Sequence, residues 1–229
     1  MFKLPFNIFA TLYFNFKYLP FKQAIHLPIV FYNRIRFQRK KGKVVLETNV
    51  PSFKMVQIGA HGSDMFPNAT TSVDIDGTLK FRGSHIIVGT GSLIRVEKNA
   101  EIEFFEHCII GARNMVFACK SIQFMQNSLF SWDCQILDSD THQLKDMITG
   151  EIKPYTKNIV IGKDSWIGNH VIINKGTILP DGTVVSAMSL CNKDYSTIID
   201  SNCVIGGVPA KLLCNNINRV SINNVSFLE

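Results

Sequence analysis

The sequence predicts an all-β chain folded as a parallel β-helix, and three observations support this. Between residues 161 and 191 an aliphatic residue recurs at every sixth position, and a small or β-branched residue follows each one four positions later. No Asn-Gly turn interrupts the run, and a period of six matches neither an α-helix nor an alternating strand. Sustained hexads are typical of β-helices, in which each repeat supplies one short strand and one corner. The repeat positions are Ile161, Ile167, Ile173, Leu179 and Val185, and Cys191 closes the series.

Residues 1–43 form a basic and aromatic segment ahead of the repeats. They contain nine Lys and Arg residues and no Asp or Glu, and 11 of the 22 Phe and Tyr residues lie within positions 1–37. Lysines and prolines interrupt every apolar run, so we expect no transmembrane span, and the absence of a cleavage site argues against a signal peptide. We expect an end cap for the β-helix, a segment that lies on an anionic membrane surface, or both.

Residues 44–214 are predicted to form the β-helix itself. From 44 to 136 short alternating segments separated by glycines indicate irregular coils of the same helix, each with one buried face. Residues 138–158 break the repeat with a polar, turn-rich stretch, which predicts a protruding loop where functional residues tend to lie. Residues 215–229 carry no pattern and are predicted to be a C-terminal tail.

The cysteines indicate a reducing compartment. The chain has six, and no pair has the CxxC spacing typical of zinc or redox sites. Several occupy positions where the repeat requires a small buried residue, a common environment for a free thiol. We therefore expect reduced thiols and a cytoplasmic protein. The apolar content of 46% excludes a disordered chain.

His142 is the best candidate for catalytic chemistry. Side chains alternate in an extended chain, so Asp138, Asp140 and His142 are expected to project to the same side. Imidazole titrates near pH 6.5 and is well matched to removing a hydroxyl proton at neutral pH. A carboxylate beside one ring nitrogen would fix the tautomer and stabilise the imidazolium. The alternative is a solvated loop histidine without a catalytic role.

Two metal-dependent alternatives have less support. An Asp-x-Asp pair can hold a divalent cation in nucleotide-sugar glycosyltransferases, but nothing else in the chain supports such a fold. Three-histidine zinc sites also occur on β-helices of the γ-class carbonic anhydrases, but the histidines here lack the required spacing. We therefore expect no metal.

Several motifs resemble those of the left-handed β-helix, or hexapeptide-repeat, acyltransferases. Residues 166–171 resemble the family's W-I-G-x-x-V, residues 192–194 its T-K-D, residues 207–211 its G-[NV]-P-A-K, and residues 138–142 its D-x-D-x-H. The likeness is strongest to bacterial sugar and polysaccharide O-acetyltransferases of the maltose and galactoside type. It implies a left-handed coil of three hexads per turn, a homotrimer, acetyl-CoA as acyl donor and His142 as general base.

The resemblance also implies a set of coenzyme A contacts. Trp166 corresponds to a wall of the donor site, Asn169 and Ala187 to contacts with the pantetheine arm, and Lys193 and Lys211 to cations at the phosphate end. The sequence departs from the family at Ser186 and Met188, where glycines are usual, and at Asn192, where threonine is usual. The implied cofactor residues are Trp166, Gly168, Asn169, Ala187, Asn192, Lys193 and Lys211.

These observations together predict an acetyl-CoA-dependent O-acetyltransferase that acts on a sugar hydroxyl, in capsule or O-antigen biosynthesis. It would be cytoplasmic and could associate with the inner face of the membrane through residues 1–43. Nucleic acid is not expected as a partner. Two alternatives remain open: an N-acetyltransferase of an amino sugar, and a non-catalytic β-helix scaffold.

Overall fold

The computed structural model describes residues 6–60, 62, 64–67 and 69–220. Three long parallel sheets form the faces of a triangular coil, and two helices lie at its N-terminal end, α1 (Ile8–Tyr18) and α2 (Phe21–Ala24). The prediction of a left-handed parallel β-helix is confirmed.

Each face of the β-helix is one sheet, and successive coils add one strand to each. Sheet 1 stacks nine strands in the order β1 (Ile29–Phe31), β4 (Val56–Ala60), β7 (Ile86–Gly89), β10 (Ile109–Ile110), β13 (Leu129–Phe130), β18 (Trp166–Ile167), β21 (Val184–Val185), β23 (Cys203–Gly207) and β24 (Ala210–Asn215). Sheet 2 stacks β2 (Arg34–Arg36), β5 (Thr70–Ile75), β8 (Leu93–Val96), β11 (Met115–Ala118), β14 (Gln135–Leu137), β19 (Ile172–Asn174) and β22 (Leu190–Cys191). Sheet 3 stacks β3 (Lys43–Glu47), β6 (Thr78–Arg82), β9 (Glu101–Phe105), β12 (Ser121–Phe124), β17 (Ile159–Ile161) and β20 (Ile178–Leu179). A separate antiparallel pair is formed by β15 (Leu144–Lys145) and β16 (Ile152–Lys153).

Coil length explains why the hexads are clear only in the C-terminal half. Trp166 pairs with Val184, which lies three hexads later, so three hexads close one turn. Farther towards the N-terminus, Ile87 pairs with Ile109 and Ile109 pairs with Leu129, and both separations are longer than three hexads. The extra residues lengthen the strands, as β8 and β9 show beside β19 and β20, and they shift the sequence frame without disturbing the stack. Residues 44–136 are therefore irregular coils of the same β-helix.

Columns of inward side chains form the core. The five hexad aliphatics from residues 161 to 185 are all at most 1% exposed. In sheet 3, Phe81 stacks on Phe104 with ring centroids 5.8 Å apart, and Phe104 on Phe124 at 4.8 Å. Burying each such ring stabilises the fold by roughly 2–3 kcal/mol relative to exposing it.

One corner of the coil repeats a left-handed backbone conformation. Strand register aligns His85, His107, Asn127 and Asp164 on successive coils, and each has φ of 57° or 58°. Asn, Asp and His tolerate positive φ better than most side chains, which accounts for the residue types at this corner.

The first coil begins earlier than the sequence suggested. β1 and β2 already pair with β4 and β5, so the β-helix starts at Ile29 rather than near residue 44. Only residues 6–28 of the described N-terminal segment lie outside the coils. No helix in the described part of the chain is both long and apolar enough to cross a bilayer.

Side chains of α1 close the open end of the first coil. Asn15 donates to the carbonyl of Ile29 at 2.6 Å and accepts from its N–H at 3.2 Å. The hydroxyl of Thr11 accepts from the N–H of Phe31 at 3.1 Å. These bonds replace those that a preceding coil would make, since buried backbone groups need partners.

At the opposite end the chain reverses. β24 runs antiparallel to β23, and the buried Tyr195 donates from its hydroxyl to the carbonyl of Ala210 at 3.3 Å. The end of β24 at Asn215 agrees with the start of the predicted tail, and residues 221–229 lie outside the described structure.

Candidate functional site

The loop 138–158 leaves the β-helix at the corner between sheet 2 and sheet 3. It replaces one corner of the coil between β14 and β17, and its middle folds as the β15–β16 hairpin. Apolar side chains are exposed along it, including Met147 at 87% and Ile148 at 97%. The loop therefore protrudes from the β-helix, with His142 exposed near its start.

A threonine orients the imidazole of His142 in the single chain. The hydroxyl of Thr141 donates to the carbonyl of Asp140 at 2.6 Å and lies 3.0 Å from Nδ1 of His142. Because that hydroxyl proton is already used, the oxygen accepts from Nδ1–H. The other ring nitrogen, Nε2, then holds the free lone pair that a general base requires. Thr141 has φ of +61°, an unusual value for a β-branched residue.

Asp138 belongs to the coil and not to the catalytic group predicted from sequence. Its side chain is buried, and its carboxylate accepts from the backbone N–H groups of Cys119 at 2.7 Å, Lys120 at 2.8 Å and Ser121 at 2.7 Å. Burial raises the pKa of Asp138, and the three N–H donors oppose that rise. The expectation that Asp138 projects beside His142 is therefore wrong. Its carboxylate instead stabilises the corner between sheets 2 and 3 of the preceding coil.

Asp140 also has a different partner from the one expected. Its Oδ2 lies 2.6 Å from Nζ of Lys175, and its backbone N–H donates to the carbonyl of Tyr155 at 2.9 Å. Within the described residues of this chain, the hydrogen bond of His142 goes to Thr141 and not to a carboxylate. The carboxylate–imidazole pair expected from spacing is thus replaced by a hydroxyl–imidazole pair.

Four lysines form a column at the same corner, on successive coils. Lys157, Lys175 and Lys193 follow one another at intervals of three hexads, and strand register places Lys120 beside Lys157. Together with Asn158, Asn192 and Asp194 they line a cleft of about 500 Å³. Adjacent strands are about 4.8 Å apart, so like charges stacked in this way destabilise the fold unless an anion binds. Lys175 is already paired with Asp140, so Lys120, Lys157 and Lys193 are the members of the column that can hold a ligand with several negative charges.

The structure places Asn192 and Lys193 in this lysine cleft. Nζ of Lys193 also lies 5.4 Å from the ring centroid of Tyr195, which bonds to Ala210 beside Lys211. Sequence reasoning missed Lys120, Lys157 and Lys175. The signal that could have found three of the column's members is the coil period itself, because a lysine recurs at every third hexad from 157 to 193.

The remaining predicted cofactor residues lie on sheet 1 and at its corner with sheet 2. Trp166 stands on the outer face of sheet 1, between Leu129 and Val184, and is 41% exposed. Gly168 follows it and packs closely on the next coil, since an added Cβ would lie 2.6 Å from the backbone N of Ala187. Asn169 accepts from the N–H of Met188 at 3.0 Å through its backbone carbonyl.

Lys211 reaches this second corner from β24, where it pairs with Gly206. The glycine positions of the family that are Ser186 and Met188 here belong to the same corner. Met188 adopts φ of +60° and is 68% exposed. A glycine adopts that φ without strain, whereas a methionine is strained there. The local backbone conformation therefore explains why glycine is usual at this position.

Sheet 2 separates the two groups of predicted site residues. Asn169 lies at one end of its strand β19 and Lys175 at the other, a distance of about 20 Å along an extended chain. Within one chain, Trp166, Asn169 and Ala187 therefore do not meet His142 and Lys193. The described residues also contain no cluster of His, Cys, Asp or Glu that could hold a metal ion.

All six cysteines lie within the described residues, and all are free thiols. Burial raises the pKa of Cys108 and of Cys191 to about 12, so both remain neutral thiols at physiological pH. Their packing positions agree with the structural role expected for small residues of the repeat.

Comparisons with known proteins point to sugar acetyltransferases over part of the chain. A galactoside O-acetyltransferase of Escherichia coli is 39% identical over 72 residues, which covers 31% of this chain and 32% of that protein. A putative lipopolysaccharide biosynthesis O-acetyl transferase, WbbJ, of Escherichia coli is 27% identical over 146 residues, or 60% of this chain and 72% of that one. No family model matches. The chain thus spans about a third of the first of these relatives and nearly three quarters of the second.

Among solved structures, the polySia specific acetyltransferase NeuO is similar at a TM-score of 0.46 and 21% identity. The match covers 86% of this chain and 92% of that one. A likeness of this degree carries no functional information.

Proposed function

We propose that this chain is an acetyl-CoA-dependent O-acetyltransferase that modifies a sugar hydroxyl in the biosynthesis of a bacterial surface polysaccharide, such as a capsule or O-antigen. The observation that supports this best is the lysine column, Lys120, Lys157, Lys175 and Lys193, at the corner from which the His142 loop departs. It combines a polyanion site with a candidate general base. The partial identity to two O-acetyltransferases agrees with that chemistry.

His142 acts as the general base in this proposal. Its Nε2 takes the proton from the acceptor hydroxyl while the hydroxyl oxygen attacks the thioester carbonyl. The tetrahedral intermediate then collapses with loss of the coenzyme A thiolate, which takes up the proton that the imidazole holds. A backbone N–H near the groove stabilises the oxyanion. Thr141 keeps Nδ1 protonated, so Nε2 is the nitrogen that faces the hydroxyl.

Coenzyme A carries a pyrophosphate and a 3′-phosphate, and the lysine column offers several cations for them. We assign Lys193 and Lys211 to the phosphate end, Lys193 from the lysine cleft of one chain and Lys211 from the other corner of its neighbour, with Asn192 as an additional hydrogen-bond donor. Trp166, Gly168, Asn169 and Ala187 form the second group and would line the path of the pantetheine arm. Gly168 allows close packing of adjacent coils there.

A homotrimer would bring the two groups together. In one chain they lie on opposite sides of sheet 2. A complete site therefore needs the corner between sheets 2 and 3 of one chain to face the corner between sheets 1 and 2 of its neighbour. A closed ring of three triangular prisms meets this requirement through one repeated interface. The exposed Ile172 and Met115 on the outer face of sheet 2 are apolar, as expected for residues in such a contact. If light scattering shows that the protein is a monomer in solution, this arrangement is contradicted.

We also propose that the protein works in the cytoplasm. Its six unpaired cysteines suit a reducing compartment.

The decisive test is release of the coenzyme A thiol from acetyl-CoA with a panel of sugars, nucleotide sugars and lipid-linked glycans. Each hydroxyl acceptor is paired with the amino sugar of the same configuration. We expect release with a hydroxyl acceptor, and a product that mild base cleaves as an ester. A base-stable amide would instead establish the N-acetyltransferase alternative.

The donor site has its own test. Lys157→Gln and Lys193→Gln should each weaken coenzyme A binding about tenfold, because each removes a charged hydrogen-bond donor. Lys145→Gln, an exposed lysine of the hairpin, serves as the matched control and should leave affinity unchanged. If coenzyme A gives no thermal shift and no acceptor releases thiol, the scaffold alternative replaces the enzyme.

A further inference from the structure

α1 turns its apolar side chains towards solvent. The exposed side chains recur at helical spacing along one face, and α2 extends that face. Towards the end of the helix Phe16 is 48% exposed, and at its start Phe9 is 84% exposed. The members of this aromatic stripe are Phe9, Leu12, Tyr13, Phe16, Phe21 and Ile25. An exposed apolar stripe on a surface helix marks a contact with a non-aqueous partner.

The stripe is not needed to attach the helix to the β-helix. Two of the three buried residues of α1 are polar, Thr11 and Asn15, and both bond to the backbone of β1. Phe14 supplies the apolar contact on that inner side, with its ring 4.9 Å from that of Phe31. The inner side of the helix thus combines two polar residues with Phe14, while its outward side is apolar, which an ordinary surface helix is not.

Lysines lie directly beside the aromatic stripe. Nζ of Lys17 is 3.2 Å from the hydroxyl of Tyr13, and Nζ of Lys40 is 5.5 Å from the centroid of the same ring. Lys22 and Lys41 are exposed nearby on α2 and on the loop before β3. The guanidinium of Arg39 is excluded from this group, because it is paired with acidic residues of the first coils. Residues 1–43 contain no Asp or Glu, and Asp76, which lines a cleft with Lys17, Lys40 and Lys41, is paired with Arg39.

We propose that the α1–α2 end of the β-helix docks on an anionic phospholipid surface. The aromatic stripe enters the headgroup layer, and Lys17, Lys22, Lys40 and Lys41 bind lipid phosphates. Charge complementarity selects this partner over a second copy of the chain, since two lysine-rimmed stripes would repel each other.

The docked orientation has a consequence that rests on the proposed function. From β2 to β14 the chain rises four strand spacings, or about 19 Å, so the loop 138–158 stands about 20 Å above the membrane. The site then faces glycans that are linked to lipid in the same bilayer.

The test is sedimentation of the full chain with vesicles of phosphatidylglycerol and phosphatidylcholine, compared with phosphatidylcholine alone. We expect binding to the anionic vesicles that weakens as salt rises from about 0.1 to about 0.5 M. Lys22→Gln and Lys41→Gln should each weaken it about fivefold. The double variant Phe9→Ser/Phe16→Ser should weaken it at least about tenfold, an effect on the order of that expected for two partly buried rings.

Two matched controls should bind as the wild type does. Ile198→Ser changes an exposed apolar residue near the opposite end, and Lys145→Gln an exposed lysine of the hairpin. Circular dichroism checks the fold of each variant. Equal binding by the aromatic double variant, or no binding by the folded wild type, would overturn the proposal. The proposal would also be overturned if light scattering showed two assemblies joined through the aromatic stripe and the sedimented vesicles carried no protein. Because vesicle binding needs no acceptor, this result is independent of the acetyltransferase assay.

Discussion

Asp138 and His142 are four positions apart but belong to two different kinds of structure. Asp138 ends a regular coil, where its buried carboxylate binds three backbone N–H groups of the preceding coil. His142 stands in a solvent-exposed loop and contacts the hydroxyl of its chain neighbour. The coil is held by contacts to the coils before and after it, whereas the loop is held by its own short hairpin and by the contacts of Lys175 with Asp140 and the carbonyl of Pro154. A single sequence motif therefore spans a stabilising region and a chemical one.

The largest expected effect separates these two regions. We expect His142→Ala to lower kcat by about 10²–10⁴, because the hydroxyl then has no base to accept its proton. The melting temperature and coenzyme A affinity should stay unchanged, since His142 supports no part of the core. Turnover by the alanine variant equal to wild type would place the base elsewhere.

Asp138 should show the opposite behaviour. Asp138→Ala leaves three partly buried N–H groups without their acceptor, which we expect to destabilise the fold by about 3 kcal/mol. For a chain of this size that lowers the melting temperature by roughly 6–12 °C. Asp138→Asn keeps one side-chain oxygen as an acceptor and should therefore lose less stability than Asp138→Ala. Activity per folded molecule should stay within about threefold of wild type. Normal melting with lost activity would restore the catalytic role predicted from sequence.

How much the sequence revealed depends on how regular each region is. The hexads predicted the coils, because one inward aliphatic in every hexad has no other simple explanation. The start at Ile29 was missed, since β1 and β2 are short and lie among aromatic residues that also suit a cap. Asp138, Asp140 and His142 fit an alternating strand, but the alternation already ends at Ser139, which is buried like Asp138, and the chain then turns at Thr141 with positive φ. Neither Thr141 nor the lysine column belongs to the motifs that drew attention to the site.

A buried ion network in the coils sharpens the same comparison. The side chain of Glu103 is 5% exposed and accepts from Arg82 at 3.0 Å, Lys80 at 3.1 Å and Gln123 at 2.8 Å. Burial alone would raise the pKa of Glu103, but these donors outweigh it and lower the pKa to about 2. The folded state therefore releases this proton more readily than the unfolded chain. Its stabilisation is complete above pH 4.5 and is lost as the pH falls towards 2.

Glu103→Gln should destabilise the protein by about 2 kcal/mol at pH 7, because Arg82 and Lys80 each lose one of their two carboxylate partners. Urea denaturation at pH 7 and pH 3 measures this. The difference between variant and wild type should shrink at the lower pH. A difference that is constant with pH would mean that the carboxylate is not the stabilising group. The ion pair of Asp140 with Lys175 is more exposed, and its loss should cost less than about 1 kcal/mol.

The smallest effect distinguishes Thr141 from Asp140 as the residue that orients His142. Thr141→Val removes the acceptor of Nδ1–H and should lower kcat about three- to tenfold, the worth of one neutral hydrogen bond. Asp140→Asn keeps the backbone carbonyl that receives the Thr141 proton, so it should change kcat less than about threefold. Thr141→Ser keeps the hydroxyl and should retain wild-type kcat, which separates orientation from a change in loop shape. If Asp140→Asn instead costs more than Thr141→Val, the carboxylate must leave Lys175 and reach the imidazole in the assembled enzyme. The carboxylate–imidazole pair expected from spacing would then form only in that assembly.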